Sequence, residues 1–105
     1  MKSITALDLK SKLDNKEELQ IIDVREPNEA EICSMGGILI PMGDILNRTE
    51  EIRKDVPVIV HCRSGKRSAN VIAVLEQRLG FENLYNLEGG ILGYGAQVDS
   101  SISPY

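Results

Sequence analysis

With 105 residues, 42% of them hydrophobic and 27% charged, the chain is expected to form one folded domain spanning 1–105, large enough for a core and too small for two. A net charge of −4 argues against nucleic acid or an anionic membrane as partner, since both need a basic face. No segment has signal-peptide or membrane-spanning length, and two cysteines make no disulfide framework, so a cytoplasmic protein is expected, with the Asn47-Arg48-Thr49 sequon silent.

In chain order, short apolar runs alternate with amphipathic stretches, the pattern of a wound α/β domain. Thr5 is placed to cap a first helix over 6–14, with Leu7, Leu9 and Leu13 on its apolar face. Leu19–Val24 reads as a strand, and Arg25-Glu26-Pro27-Asn28 as a turn into a short helix near Glu29–Cys33. Gly36-Gly37 breaks it, Ile38-Leu39-Ile40 forms a strand stopped by Pro41, and 43–54 is polar and partly helical.

Val58–His61 is β-branched and uninterrupted up to its terminal His61, as expected of a parallel strand covered on both faces. Ser68–Leu79 is a helix with Ser68 at its N-cap, Ile72, Leu75 and Leu79 on one face, and Gly80 at its end. Leu84–Leu87 is the last strand; Gly89-Gly90 is a turn, a short helix starts at Ile91, and 98–105 reads as a C-terminal tail.

The chemistry concentrates in Cys62-Arg63-Ser64-Gly65-Lys66-Arg67-Ser68. A buried-type strand runs into a cysteine, and a basic, glycine-containing loop follows and leads into a helix. Converging loop amides, the helix N-terminus and the cations Arg63, Lys66 and Arg67 all favour thiolate over thiol. Cys62 is therefore expected as a nucleophile with a pKa in the reactive range of about 3.5–7.5. A small electropositive mouth on an acidic protein suits a small anionic substrate. In open α/β sheets ligands bind outside the carboxyl ends of the strands, where Cys62 and Asp23-Val24-Arg25 both fall.

These motifs resemble the rhodanese (sulfurtransferase) superfamily over nearly the whole chain: Ile22-Asp23-Val24-Arg25-Glu26-Pro27, Ile40-Pro41, the loop Cys62–Ser68, and Asn86-Leu87-Glu88-Gly89-Gly90-Ile91, in that order. Within it, Glu31-Ile32-Cys33, Leu39-Ile40-Pro41-Met42, His61-Cys62-Arg63-Ser64-Gly65 and Pro104-Tyr105 are most similar to the C-terminal rhodanese domain of molybdopterin- and thiamine-synthesis adenylyltransferases. The resemblance implies a rhodanese-like α/β fold, with a mainly parallel central sheet and helices on both faces. It implies a sulfurtransferase in which Cys62 takes sulfur from a donor such as thiosulfate, carries it as a persulfide and gives it to a thiophilic acceptor. Arg63, Ser64, Gly65, Lys66, Arg67 and Ser68 would bind the substrate and the persulfide, and Asp23 and Arg25 would support the loop. No metal or organic cofactor is required; the implied partners are a small anionic sulfur donor and a ubiquitin-like sulfur-carrier protein. The chain departs from many relatives in having Ile32-Cys33-Ser34-Met35-Gly36 in place of Gly-His-Ile-Pro-Gly, and Tyr94 in place of Trp.

Rival readings remain beside this one. Cysteine phosphatases and arsenate reductases share the His-Cys start and closing Arg, but place five residues between Cys and Arg; here four, Arg63 to Lys66, intervene, a smaller ring suited to a single sulfur. A nucleotide P-loop is excluded, because Arg67 follows Gly65-Lys66 and Val60 stands where a glycine is needed. A non-catalytic protein-binding module is the alternative from another class, and an inert core thiol is the plain reading of Cys62. His61 reads as a capped, buried histidine or as a general base, Cys33 as a packed or a resolving thiol, and neither makes a zinc spacing with Cys62. Asp23 and Arg25 form either an ordinary surface pair worth under about 1 kcal/mol or, as the resemblance implies, a support for the loop.

Overall fold

The apolar runs become the strands of one sheet. The computed structural model describes residues 1–105 and contains β1 (Ser3–Ile4), β2 (Gln20–Asp23), β3 (Ile38–Leu39), β4 (Val58–His61) and β5 (Leu84–Leu87). Their order is β1-β5-β4-β2-β3 and every neighbouring pair is parallel. The helices are α1 (Ala6–Asp14), α2 (Pro27–Ile32), α3 (Lys66–Leu79) and α4 (Gly90–Gln97), with 3-10 turns at Met42–Asn47 and Thr49–Glu51. No helix is long and apolar enough to cross a membrane.

Alternation along the strands builds two cores. Ile22, Val24, Val58, Val60 and Leu84 pack with Val71, Ile72 and Leu75 of α3 and with Ile45 and Ile52 from the 3-10 region. Ile4, Ile59 and Leu87 pack with Ala6 and Leu9 of α1 and Ile91 and Tyr94 of α4. All four residues of β4 are buried, because helices cover the sheet on both sides.

Several expectations are corrected. β1 was not anticipated: two residues carry no periodicity, and the strand exists only through its pairing with Asn86 and Leu87. Thr5 does cap α1, accepting from the Asp8 N–H at 3.1 Å, but Leu7 is 61% exposed. It sits about 200° around the helix from Leu9, so one nine-residue helix cannot bury both. Leu13 and Leu79, in the last turns of α1 and α3, are also exposed. Gly65, not Ser68, is the N-cap of α3; it takes φ +110°, and the Ser68 hydroxyl is engaged inside the loop instead. Residues 98–105 fold back onto the domain: Ile102 is buried in the α1/α4 core and the Tyr105 hydroxyl is hydrogen-bonded.

This topology places the site. β3 lies on one side of β2 and β4 on the other, so the chain reverses direction across the sheet at β2, and the carboxyl ends of β2 and β4 are the switch point at which open α/β sheets bind their ligands. Asp23 and His61 are partners across that boundary, and Cys62 follows directly.

Candidate active site

Cys62 leaves the carboxyl end of β4 on the α3 face of the sheet and is only 1% exposed. The loop beyond it turns back so that the Gly65 N–H points at Sγ, 3.1 Å away, and the Ser68 hydroxyl lies 3.4 Å from the same atom. Burial pushes the Cys62 thiol up, but the Ser68 hydroxyl and the amides of Ser68, Gly65 and Ser64 outweigh it and leave the pKa below its ordinary value.

The loop holds this shape because its carbonyls are bound elsewhere. The first amides of α4 take them: Ile91 N–H donates to the Cys62 carbonyl at 2.9 Å and Leu92 N–H to that of Arg63 at 3.2 Å. Asn86 of β5 donates from Nδ2 to the Gly65 carbonyl at 3.1 Å and accepts from the Ser68 hydroxyl at 2.5 Å. With the carbonyls turned outward, the amides are left to face the thiol.

The cations behave differently from expectation. Arg67 is clamped by Glu29 of α2, Nη1 to Oε1 at 2.6 Å and Nη2 to Oε2 at 2.8 Å. The Arg63 guanidinium stacks 4.9 Å from the Tyr105 ring centre. Arg63, Ser64 and Lys66 are exposed at the rim. Hydrogen bonds, more than the three cations, favour the thiolate.

Asp23 and Arg25 are not a surface pair. Arg25 is 0% and Asp23 3% exposed. Asp23 Oδ1 accepts from the Arg25 backbone N–H and Nε at 3.0 Å each, and Oδ2 accepts from Nη2 at 2.7 Å. The rest of the guanidinium holds the carbonyls of Glu29 (3.3 Å) and Cys33 (2.8 Å) and the Tyr105 hydroxyl (3.1 Å). That hydroxyl donates to Glu29 Oε2 at 2.8 Å. The pair thus reaches the loop indirectly, through Tyr105, which leads to Arg67 by way of Glu29 and to Arg63 by stacking. Cys33 is half-buried with Sγ 3.8 Å from Arg25 Nη1. Sequence reading did not single out Glu29, Tyr105 or Asn86 as site residues. Only Asn86 left a local signal, a polar residue within the otherwise apolar Leu84-Tyr85-Asn86-Leu87.

His61 is buried, as expected, but not capped: neither ring nitrogen has a hydrogen-bond partner. Burial pushes its pKa down, assisted by Arg25 and opposed by Asp23. Glu29 is held down to about 2, chiefly by the Arg67 guanidinium. Both shifts make acid destabilising. The unfolded chain takes a proton on His61 below about 6.5 that the folded one resists, so stability falls as pH drops below that value. The Glu29 contribution is complete above about 4.5 and is lost as pH falls towards its folded value; after solvent screening it is worth about 1–2 kcal/mol. In a Cys62→Ser background, which removes the contribution of the depressed Cys62 thiol, urea midpoints are expected to be flat between about pH 7 and 9 and to decline in two stages below that range. His61→Leu should remove the upper stage and Glu29→Gln should reduce the lower, to which Glu51, Asp55 and Asp99, each held down by its own partner, also contribute; a decline unchanged in both variants would refute the assignment.

The rhodanese-like domain family matches residues 5–97. The chain is 41% identical over 99 residues to the putative sulfurtransferase YtwF of Bacillus subtilis, covering 93% of this chain and 94% of that one. It is 30% identical over 106 residues to the probable adenylyltransferase/sulfurtransferase MoeZ of Mycobacterium tuberculosis, covering 98% of this chain but 27% of MoeZ. The crystal structure of a rhodanese-like domain protein from Staphylococcus aureus superposes with a TM-score of 0.82 at 35% identity, covering 93% of this chain and 95% of that one.

Proposed function

This chain belongs to the rhodanese-like domain family, and from that membership we propose that it is a sulfurtransferase carrying sulfane sulfur as a persulfide on Cys62. The observation that carries the reading is the Cys62 thiol under the Gly65 amide and the Ser68 hydroxyl, at the carboxyl ends of β2 and β4.

Transfer takes two displacements. The Cys62 thiolate attacks the outer sulfur of a donor such as thiosulfate; an Sγ–S bond forms, the donor's S–S bond breaks, and sulfite leaves with the electron pair. An acceptor nucleophile then attacks the outer sulfur of Cys62–S–S⁻, the Sγ–S bond breaks, and the pair returns to Sγ. Loop amides favour the anionic sulfur throughout, as in other preorganised anion sites. Four residues between Cys62 and Arg67 make a ring sized for one sulfur, so phosphoryl chemistry is not expected. With the adenylated C-terminus of a small ubiquitin-like carrier as acceptor, a reading supported by the likeness to MoeZ, the persulfide is instead the nucleophile. Its outer sulfur attacks the acyl carbon and AMP leaves. A thiol reductant then attacks Sγ, so that the Sγ–S bond breaks and the thiocarboxylate departs with the electron pair, and a second thiol reduces the mixed disulfide left on Cys62.

Incubation with thiosulfate followed by intact mass spectrometry tests the reading. The mass of one sulfur atom should appear, be removed by cyanide, and be absent in Cys62→Ser but present in Cys33→Ser. Uptake that depends on Cys33 instead would move the site; aryl phosphate hydrolysis above background without sulfur uptake would replace the reaction. Charge reversal at the exposed Arg63 and Lys66 should slow transfer to a carrier more than transfer to cyanide; equal slowing would count against a protein acceptor.

A further inference from the structure

Asn86 stands in the middle of β5 as the partner of Val60. Its side chain therefore lies on the face shared by Val60 and Cys62. Strand position alone gives no reason for asparagine there, since the residue is disfavoured in strands. Its two polar ends, however, are both used on the loop. Gly65 offers a carbonyl, which only accepts, so Nδ2 must face it at 3.1 Å. Oδ1 is then turned to Ser68 and must accept there, at 2.5 Å.

The Ser68 hydroxyl has one proton and three acceptors in reach: Asn86 Oδ1 at 2.5 Å, the Gly65 carbonyl at 3.2 Å and Cys62 Sγ at 3.4 Å. In the thiol form a closed ring results. The Cys62 thiol donates to Ser68, Ser68 to Asn86, Asn86 to the Gly65 carbonyl, and the Gly65 N–H to Cys62. In the thiolate form the charge on Sγ competes with Asn86 for the Ser68 proton, and the ring opens at Asn86.

We propose that Asn86 is a positioning residue that holds the Ser68 hydroxyl proton while Sγ is uncharged, as thiol or persulfide, and yields it to Sγ when the thiolate forms. This rests on the sulfurtransferase reading above. When an acceptor takes the outer sulfur, the acceptor–S bond forms, the Sγ–S bond breaks and its electron pair stays on Sγ. No proton leaves the hydroxyl; it rotates from Oδ1 to the new thiolate. Asn86 thus supplies a neutral resting partner, so that Ser68 is not left unpaired in the persulfide state, at the cost of competing with the thiolate.

The competition gives the test a sign that a purely structural role would not produce. The rate of Cys62 alkylation by iodoacetamide is followed against pH, with the modified peptide identified by mass. Ser68→Ala should raise the apparent pKa. Asn86→Leu should lower it, because the Ser68 proton is freed for Sγ, giving about two- to tenfold faster alkylation below the wild-type pKa, the range of one net hydrogen bond. In a Ser68→Ala background, Asn86→Leu should have no further effect. A raised pKa in Asn86→Leu, or an effect that persists without Ser68, overturns the proposal. Asn86→Val, suited to a strand, replaces Asn86→Leu if the latter does not fold, and failure of both to fold would make Asn86 a folding residue and also overturn it. Alkylation needs no sulfur donor, so the expected coupling without any persulfide would fail the functional reading alone. Persulfide formation without the coupling would fail this proposal alone.

Discussion

Arg25→Met is expected to cost about 3–5 kcal/mol of stability, the range for breaking one half of a buried ion pair. Arg25 is the largest fully buried side chain and its partner Asp23 is 3% exposed. Methionine fills much of the volume but leaves Asp23 with the backbone N–H of residue 25 as its single remaining donor. The Cys33 and Glu29 carbonyls and the Tyr105 hydroxyl lose a donor in the same step. For a domain of typical stability, about 5–15 kcal/mol, this is a large fraction of the total. Urea unfolding of the single variant and of Asp23→Leu/Arg25→Met separates the causes. The double variant should recover most of the loss, since neither charge is then stranded. A cost below about 1 kcal/mol for Arg25→Met would restore the surface-pair description that burial contradicts.

That depth was illegible in the sequence for a physical reason. Asp-Val-Arg at the end of a strand gives the same letters whether the pair is covered or not. What covers it here comes from far along the chain: Tyr105 is 80 residues from Arg25. By contrast, β4 and most of α3 were legible because their signals are local, a β-branched run and a face carrying Ile72 and Leu75. The wound α/β class followed from the same alternation, and the sheet is parallel throughout. β1 was missed because two residues have no pattern of their own. The Cys62–Ser68 loop announced itself by composition, and its amides act on Cys62 as expected, but the share expected of the cations falls to the Ser68 hydroxyl instead. Charged letters are conspicuous in a sequence, whereas amides are present at nearly every position and acquire meaning only when the fold aims them. Ser68 shows this directly: as a letter it suggested a helix cap, and in the fold its hydroxyl lies between Cys62 and Asn86.

The aiming itself depends on Gly90, and Gly90→Ala is expected to lower Cys62 reactivity more than tenfold while leaving the sheet formed. A Cβ at this position would lie 2.4 Å from the Arg63 carbonyl oxygen and 2.7 Å from the Ser64 nitrogen, both backbone atoms of the active loop. Neither can rotate aside, so the loop or the start of α4 must move. Movement of either disturbs the bonds from Ile91 and Leu92 that hold the Cys62 and Arg63 carbonyls outward. Part of the effect would be general, because residue 90 has φ +61°, where a side chain is strained by about 1–3 kcal/mol. Gly89→Ala isolates that part. Gly89 also has a positive φ, +77°, but its Cβ would meet only the Gly93 backbone, Cα at 3.4 Å and N at 3.9 Å, ordinary contacts. Both variants should lose stability in urea, Gly90→Ala the more, because its clash with the loop adds to the strain. Only Gly90→Ala should slow alkylation of Cys62 and sulfur uptake from thiosulfate beyond what its unfolded fraction explains. Equal loss of reactivity in the two would mean that backbone strain in the turn, rather than contact with the loop, governs the site. Retained reactivity in Gly90→Ala would mean that the outward carbonyls do not set the direction of the amides, and the electrostatic account of the Cys62 thiolate would then fall back on Ser68 and the rim cations.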